Sequence, residues 1–268
     1  MTSILPSSVP SRAAAMGSWG PWLVVALLVA VFGVARAETP PSDPKAVEIA
    51  DKVMTQLGGK QRWDNLRGLQ WTFGVEVSDT VRGTPRRHAW DKWSGWHRVE
   101  GKNRQGQPYV IIHNLNDSLG TAWVSGNKIE GDSLRKLIKF GKSSWVNDTY
   151  WMLMPYKLRD PGVTLRYEGE AKVDGRPYDK IALSFDQVGE TPGDHYWVYV
   201  NPQTHRVERW DMVLQSDKPP AKSYTWEAWQ AHDGLWFPTA HRNTEHVNVF
   251  TRDVQTVSEF PPGEFTSP

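Results

Sequence analysis

The sequence predicts a mainly β protein, an antiparallel sheet with helices at its start and near mid-chain. Three observations predict it. From Leu69 onward, short runs alternate apolar with polar or small residues, the period of a half-buried strand. After Val163, turn signals such as Asp174-Gly175, Asn201-Pro202 and Asp233-Gly234 recur about every ten residues. The spacing changes to three and four residues in two places, near 44–57 and about 131–156, where helices are expected.

In order, Thr39-Pro-Pro-Ser-Asp-Pro44 is an extended leader. Asp43 can cap a helix with Pro44 at its first position. Val47, Ala50, Val53 and Leu57 give that helix one apolar face, and Gly58-Gly59 ends it. Gln61 to Leu66 reads as another helical turn. Leu69, Trp71, Phe73, Val75 and Val77 form the first strand, and Thr80 to Pro85 a turn. His88 to Glu100 alternates with Trp90 and Trp96 in phase and a bend at Ser94-Gly95. Strands follow at Tyr109–His113 and Thr121–Val124.

At Gly131 the pattern turns helical. Leu134, Leu137, Ile138 and Trp145 keep the spacing, with Gly141 as a break and Asn147-Asp148-Thr149 as a second cap. Pro155 stops the run. The stretch Trp145 to Val163 concentrates two Trp, two Tyr and two Met around Pro155. A bulky segment between two strand sets is either the lid of a cavity or the plug of a core. Strands resume at Val163 and continue to Val257, which brings the total to about ten or eleven.

Residues 21–35 carry no charge and end at Ala35-Arg36-Ala37, a small-x-small pattern just before Glu38. The run suits a signal-peptide core and is short for a bilayer span. Residues 1–37 therefore read as a signal peptide cleaved after Ala37, from a start at Met1 or Met16, with an uncleaved anchor as the alternative. The expected location is periplasmic or secreted, with 38–268 as a single domain and 131–156 as its helical insertion. Cleavage removes Arg12 and Arg36 and no acid. It leaves 29 basic against 30 acidic residues, a net charge of −1. That is no footprint for nucleic acid or for an anionic membrane. The chain has no cysteine, so an exported form depends on its core. Two of the 15 Trp, Trp19 and Trp22, precede residue 38; the other thirteen supply either a thick core or an apolar pocket.

The familiar catalytic patterns are missing. There is no Gly-x-Ser-x-Gly, no His-Glu-x-x-His, no phosphate-binding glycine loop and no thiol, so no metal or cofactor is expected. The eight His are scattered, and a lone strand His usually faces solvent or is satisfied in place. Trp90-Asp-Lys-Trp93 with Trp96, His97 and Arg98 could hold a polar head group, or form a cross-strand ladder. Asp194 and His195, after Pro192-Gly193, could be an acid/base pair, or part of a plain turn.

The order of signal peptide, helix, strands, mid-chain helices and strands resembles the LolA/LolB/RseB-like superfamily of periplasmic lipoprotein and lipid carriers. The resemblance covers most of 44–260. Asn147-Asp-Thr-Tyr-Trp-Met-Leu-Met-Pro-Tyr156, Asp160-Pro-Gly162 and Pro192-Gly-Asp-His-Tyr-Trp-Val-Tyr-Val-Asn201 are similar to an exported bacterial family of unknown function. The resemblance implies a strongly curved antiparallel sheet forming an incomplete barrel, with helices covering its concave face.

The expected function is then a monomeric carrier for an apolar small molecule or lipid, such as an acyl chain. Trp71, Phe73 and Trp90 would supply the sheet wall; Trp145, Trp151, Met152, Met154 and Tyr156 would line or cover the cavity. No catalytic residue is assigned. The alternative is an envelope sensor or scaffold that binds another protein and whose core is full. A hydrolase using Asp194 and His195 is the third reading.

Overall fold

The computed structural model describes residues 41–117, 119–185, 193–214 and 219–268. The expected signal peptide, and Thr191-Pro192 of the Pro-Gly-Asp turn, lie outside the described residues.

Helix α1 (Pro44–Gln56) buries Ala46, Ile49, Ala50 and Val53, and α2 (Lys60–Asn65) follows after two glycines at positive φ. Asp43 sits at the N-cap of α1 without capping it. Its carboxylate instead accepts from Arg166 and from the Tyr167 N–H, at 2.8 and 3.0 Å.

The chain then runs as a meander: β1 (Gly68–Val77), β2 (Thr80–Asp91), β3 (Trp96–Lys102), β4 (Pro108–Asn114), β5 (Gly120–Val124) and β6 (Asn127–Lys128). The 23-residue helix α3 (Gly131–Leu153) and a 3-10 turn, Met154–Lys157, lead to a second meander. It consists of β7 (Val163–Val173), β8 (Arg176–Phe185), β9 (His195–Val200), β10 (Val207–Val213) and β11 (Lys222–Thr225). A small hairpin, β12 (Gln230–His232) with β13 (Leu235–Phe237), precedes β14 (Ala240–Arg242) and β15 (Val247–Val257). β15 returns to pair with β1, so the first sheet has eight strands in the order β14-β15-β1-β2-β3-β4-β5-β6. The second has five.

All pairings are antiparallel, and the eight-stranded sheet stays open, with β14 and β6 as its edges. The expected class, mainly β with an open antiparallel sheet and helices against it, is the observed one. The described strands number fifteen, because several are two to four residues long and carry too few side chains to alternate visibly.

Three local expectations change. Thr80–Pro85 is strand, because the turn is the pair Ser78-Asp79, at φ of 49° and 61°. That is the left-handed two-residue connection that matches strand twist. The bend at Ser94-Gly95 is a hairpin turn that sets Trp90 opposite His97, so His97 shares the face of Trp90 and Trp96 takes the other. Gly141 does not break α3. An added Cβ there would lie 3.0 Å from Ile111 Cγ2 and from His113 Cδ2, so the missing side chain lets the helix lie down on β4. Gly141→Leu is expected to lift the helix and cost about 1–3 kcal/mol, read as a lower urea midpoint.

The main core is one cluster joining α1, β1, the end of α3, the 3-10 turn and the five-stranded sheet. A smaller cluster of Val99, Tyr109, Ile111 and Ala122 lies under Leu134, Leu137 and Ile138 of α3. Ahead of α1, the Asp43 N–H donates to the Leu165 carbonyl and Ser42 Oγ accepts from the Leu165 N–H, both at 2.9 Å, along the outer edge of β7.

Candidate functional site

The face of β1–β5 that carries α3 is built by register. Phe73 lies opposite Arg86, Trp71 opposite His88, and Leu69 opposite Trp90. Trp90 in turn lies opposite His97, and His97 opposite His113. Period two then puts Arg86, His88 and Trp90 of β2, His97 of β3 and His113 of β4 on one face. Onto it α3 lays Gly141, Ser144, Asp148 and Met152, all buried, with spacings of three to four residues.

A continuous polar chain crosses this interface. Asp148 accepts from Arg86 through both carboxylate oxygens, at 2.7 and 2.8 Å, and from His88 Nε2 at 2.9 Å. His88 Nδ1 stands 3.0 Å from His97 Nε2, and His97 Nδ1 2.9 Å from His113 Nε2. The carboxylate only accepts, so His88 must donate from Nε2 and accept at Nδ1. His97 and His113 then follow with the same tautomer, each donating from Nε2. The chain ends at His113 Nδ1, a buried acceptor with no hydrogen-bond partner.

Each charge state has a physical cause. Burial raises the Asp148 pKa, but the bonds from His88 and Arg86 outweigh it and hold the carboxyl below its usual range. Burial lowers His88 against the pull of Asp148. His97 is held well below the usual range by burial and by its two imidazole neighbours. Burial pushes His113 down to about 4. The result is one fixed ion pair joined to three neutral rings. Among the described residues no cluster of His, Asp or Glu is arranged to hold a metal. Four of the six imidazole nitrogens face one another instead, and a fifth binds Asp148.

The eight residues proposed from sequence for an apolar site fall in the main core or against it. Trp71, Phe73, Met152, Met154 and Tyr156 are buried in it; Trp90, Trp145 and Trp151 are half-buried at its border. Trp71 stacks on His88 with ring centres 4.6 Å apart, and Trp90 meets Trp145 edge-on at 5.4 Å. Trp151 sits farther along, against Trp210 and Tyr224 at 4.9 Å each. Tyr156 stacks on Trp63 at 4.4 Å and accepts the Trp236 N–H at 3.0 Å. Beside Tyr156 a 290 Å³ groove opens between α1, α2 and the 3-10 turn, lined in part by Asp51, Trp63 and Arg159.

Five buried indole N–H groups have no acceptor among the described residues, those of Trp71, Trp90, Trp145, Trp210 and Trp226, and the first three lie together at the α3 interface. An unpaired buried donor of this kind costs about 1–3 kcal/mol.

The remaining sequence candidates separate. Asp194 is buried and binds the Tyr196 hydroxyl at 2.5 Å, whereas the neighbouring His195 is exposed, so the strand sends the two to opposite faces. In the Trp90–Arg98 patch, Asp91 accepts the Trp93 and Ser94 N–H groups of its own turn, and Arg98 binds Glu100 and the Glu264 carbonyl. The His chain was missed in sequence because its members stand 9 and 16 residues apart and meet only through strand register. The signal was partial: His88 and His113 occupy inward positions of alternating runs, and His97 joins them only because the chain turns at Ser94-Gly95.

No protein-family model matches the chain, and no curated protein does. Solved structures are similar to it in chain path. A DUF1329 family protein from Desulfovibrio piger aligns over 84% of this chain and 98% of its own, at 14% identity and a TM-score of 0.49. A domain named as an outer membrane lipoprotein-sorting protein, from Vibrio parahaemolyticus, aligns over 83% and 96%, at 10% identity and 0.46. A LolA superfamily protein from Nitrosomonas europaea aligns over 83% and 97%, at 12% identity and 0.46.

Proposed function

We propose that the chain is an exported carrier that holds an apolar ligand, such as a lipid acyl chain, between α3 and the eight-stranded sheet. The signal peptide 1–37 sends it to the periplasm. The observation that carries the reading is the set of three buried, acceptor-less indole N–H groups in an aromatic and Met-rich interface. A lipid brings both things such a surface lacks, a flexible apolar chain and ester or carboxyl oxygens that accept hydrogen bonds. Trp71, Phe73 and Trp90 form the wall. Trp145, Trp151, Met152, Met154 and Tyr156 form the cover, and the Met side chains repack as the chain enters.

Native mass spectrometry after mild extraction tests this. The expected result is a co-purifying lipid, together with saturable binding of a fluorescent fatty acid that Trp145→Ala weakens about tenfold, the loss of one aromatic contact. No lipid and no fatty-acid binding would end the carrier reading.

A second reading draws on a different observation. Met152, Met154 and Leu153 are at most 2% exposed, so the end of α3 fills the core it covers. A filled core favours a scaffold or sensor that binds another envelope protein by its outside. Capture of a defined protein from envelope extracts by lipid-free protein would support that alternative.

A further inference from the structure

The outer face of α3 gathers basic residues. Arg135, Lys136, Lys139 and Lys142 are all exposed, and Asp132 is the acid among them. Asp132 pairs with Arg135. Lys136, Lys139 and Lys142 form no ion pair among the described residues, and they stand together on one helix face, whereas the lysines of α1 and α2 are paired. Lys45 and Lys52 both bind Glu48, Lys60 binds Asp64, and Arg242 binds Glu227.

At 100° per residue, Lys139 lies at the centre of the solvent side, with Arg135 and Lys142 within one turn of it and Lys136 alongside. On that flank Phe140 stands 42% exposed, with its inner edge against Tyr109 at 5.8 Å. The opposite face is fixed to the sheet by Gly141, Ser144 and Asp148. A helix whose apolar side is occupied and whose free side carries four cations and an aromatic ring has the composition of a surface that lies on anionic lipid. The near-neutral charge of the whole chain conceals this cluster.

We infer that the outer face of α3 docks on an anionic phospholipid bilayer. Lys136, Lys139 and Lys142 meet head-group phosphates, and Phe140 enters the boundary between head groups and acyl chains. Charge complementarity selects this occupant. Lysines without an ion-pair partner in the chain are available to phosphate, and each basic residue near such a surface is worth about a fivefold change in partition. The docking does not depend on the carrier reading, since the face that binds the bilayer is not the face that holds a ligand.

The test is co-sedimentation of the protein with vesicles of phosphatidylcholine alone or with one quarter phosphatidylglycerol. Binding is expected to the mixed vesicles at low salt and to weaken steeply with added salt. Lys136→Gln, Lys139→Gln and Lys142→Gln together should lower it on the order of 100-fold. Phe140→Ser should lower it several-fold and leave the salt dependence in place. Lys172→Gln, on β7, should leave it unchanged. All five side chains are exposed, so an unaltered melting curve certifies the fold.

Equal binding to both vesicle types, or no loss in the triple variant, would overturn the proposal. So would absence of vesicle binding alongside binding to an acidic polypeptide such as polyglutamate, which would move the face to a protein partner. If vesicle binding appears while the fatty-acid assay fails, the docking stands and the carrier reading falls; the reverse result removes the docking alone.

Discussion

Replacing Asp148 with alanine is expected to destabilise the protein by about 3–5 kcal/mol, the cost of removing one partner from a buried ion pair. Asp148 has no exposed side-chain surface and holds Arg86 and His88 together. Its loss leaves the His88 N–H without an acceptor in a dry site and Arg86 without its counter-charge. Arg86 keeps some access to water, with 27% of its side chain exposed, which places the effect toward the lower end. For a chain of this length the melting temperature should fall by about 10 °C. An exposed pair gives the contrast. Glu48→Ala removes the partner of Lys45 and Lys52, both solvent-screened, and should leave the melting temperature nearly unchanged. A change under about 1 kcal/mol in Asp148→Ala would mean that the α3 interface relaxes around the missing carboxylate.

The second large effect is acid lability. His88, His97, His113 and His241 are buried and held below the usual His pKa by that burial, His113 to about 4 and His241 to about 3. In the unfolded chain each takes a proton near pH 6.5. Between pH 6.5 and the folded value the unfolded state therefore binds more protons, so stability falls as pH falls. His113 alone contributes about 3 kcal/mol of loss by pH 4 at about 1.4 kcal/mol per unit. Asp148 adds in the same direction below pH 3.8, because its folded value is lowered and its stabilisation is lost on protonation. Urea midpoints measured from pH 7.5 to 4.5 should drop continuously below about pH 6.5. A flat profile would show that the imidazole chain charges without leaving its place.

Much of the framework was legible in the sequence. The face of α1 was readable in part: Ala50, Val53 and Leu57 meet one core as expected, while Val47 is half-buried at its side and Ala46 and Ile49 complete the buried face. β1 was readable because Leu69, Trp71 and Phe73 all point inward. The misread places share a cause, contacts between residues far apart in the chain. Asp43 looked like a cap and is a ligand of Arg166 and Tyr167, which lie more than 120 residues away. Gly141 looked like a helix breaker. Its meaning is the close approach of β4, which helix propensity does not record. The candidate site divides in the same way. Its aromatic and Met residues could be named from one stretch and one strand. The imidazole chain beneath them required the register of two hairpins, β2–β3 and β3–β4. The basic face of α3 was not singled out in the sequence, because whether its cations had acidic partners depended on where the neighbouring acids went.

The leader ahead of α1 has a consequence for solubility. A sheet ends in strands whose unused N–H and C=O groups invite a strand from another molecule, which is how soluble chains start to aggregate. At β7 the first part of that edge is already taken. The Leu165 carbonyl and N–H are engaged by Asp43 and Ser42, and the Tyr167 N–H by the Asp43 carboxylate. Two residues with no regular structure of their own, Ser42 and Asp43, thus act as a guard strip against self-association, in a protein that has no disulfide to hold a partly opened edge in place.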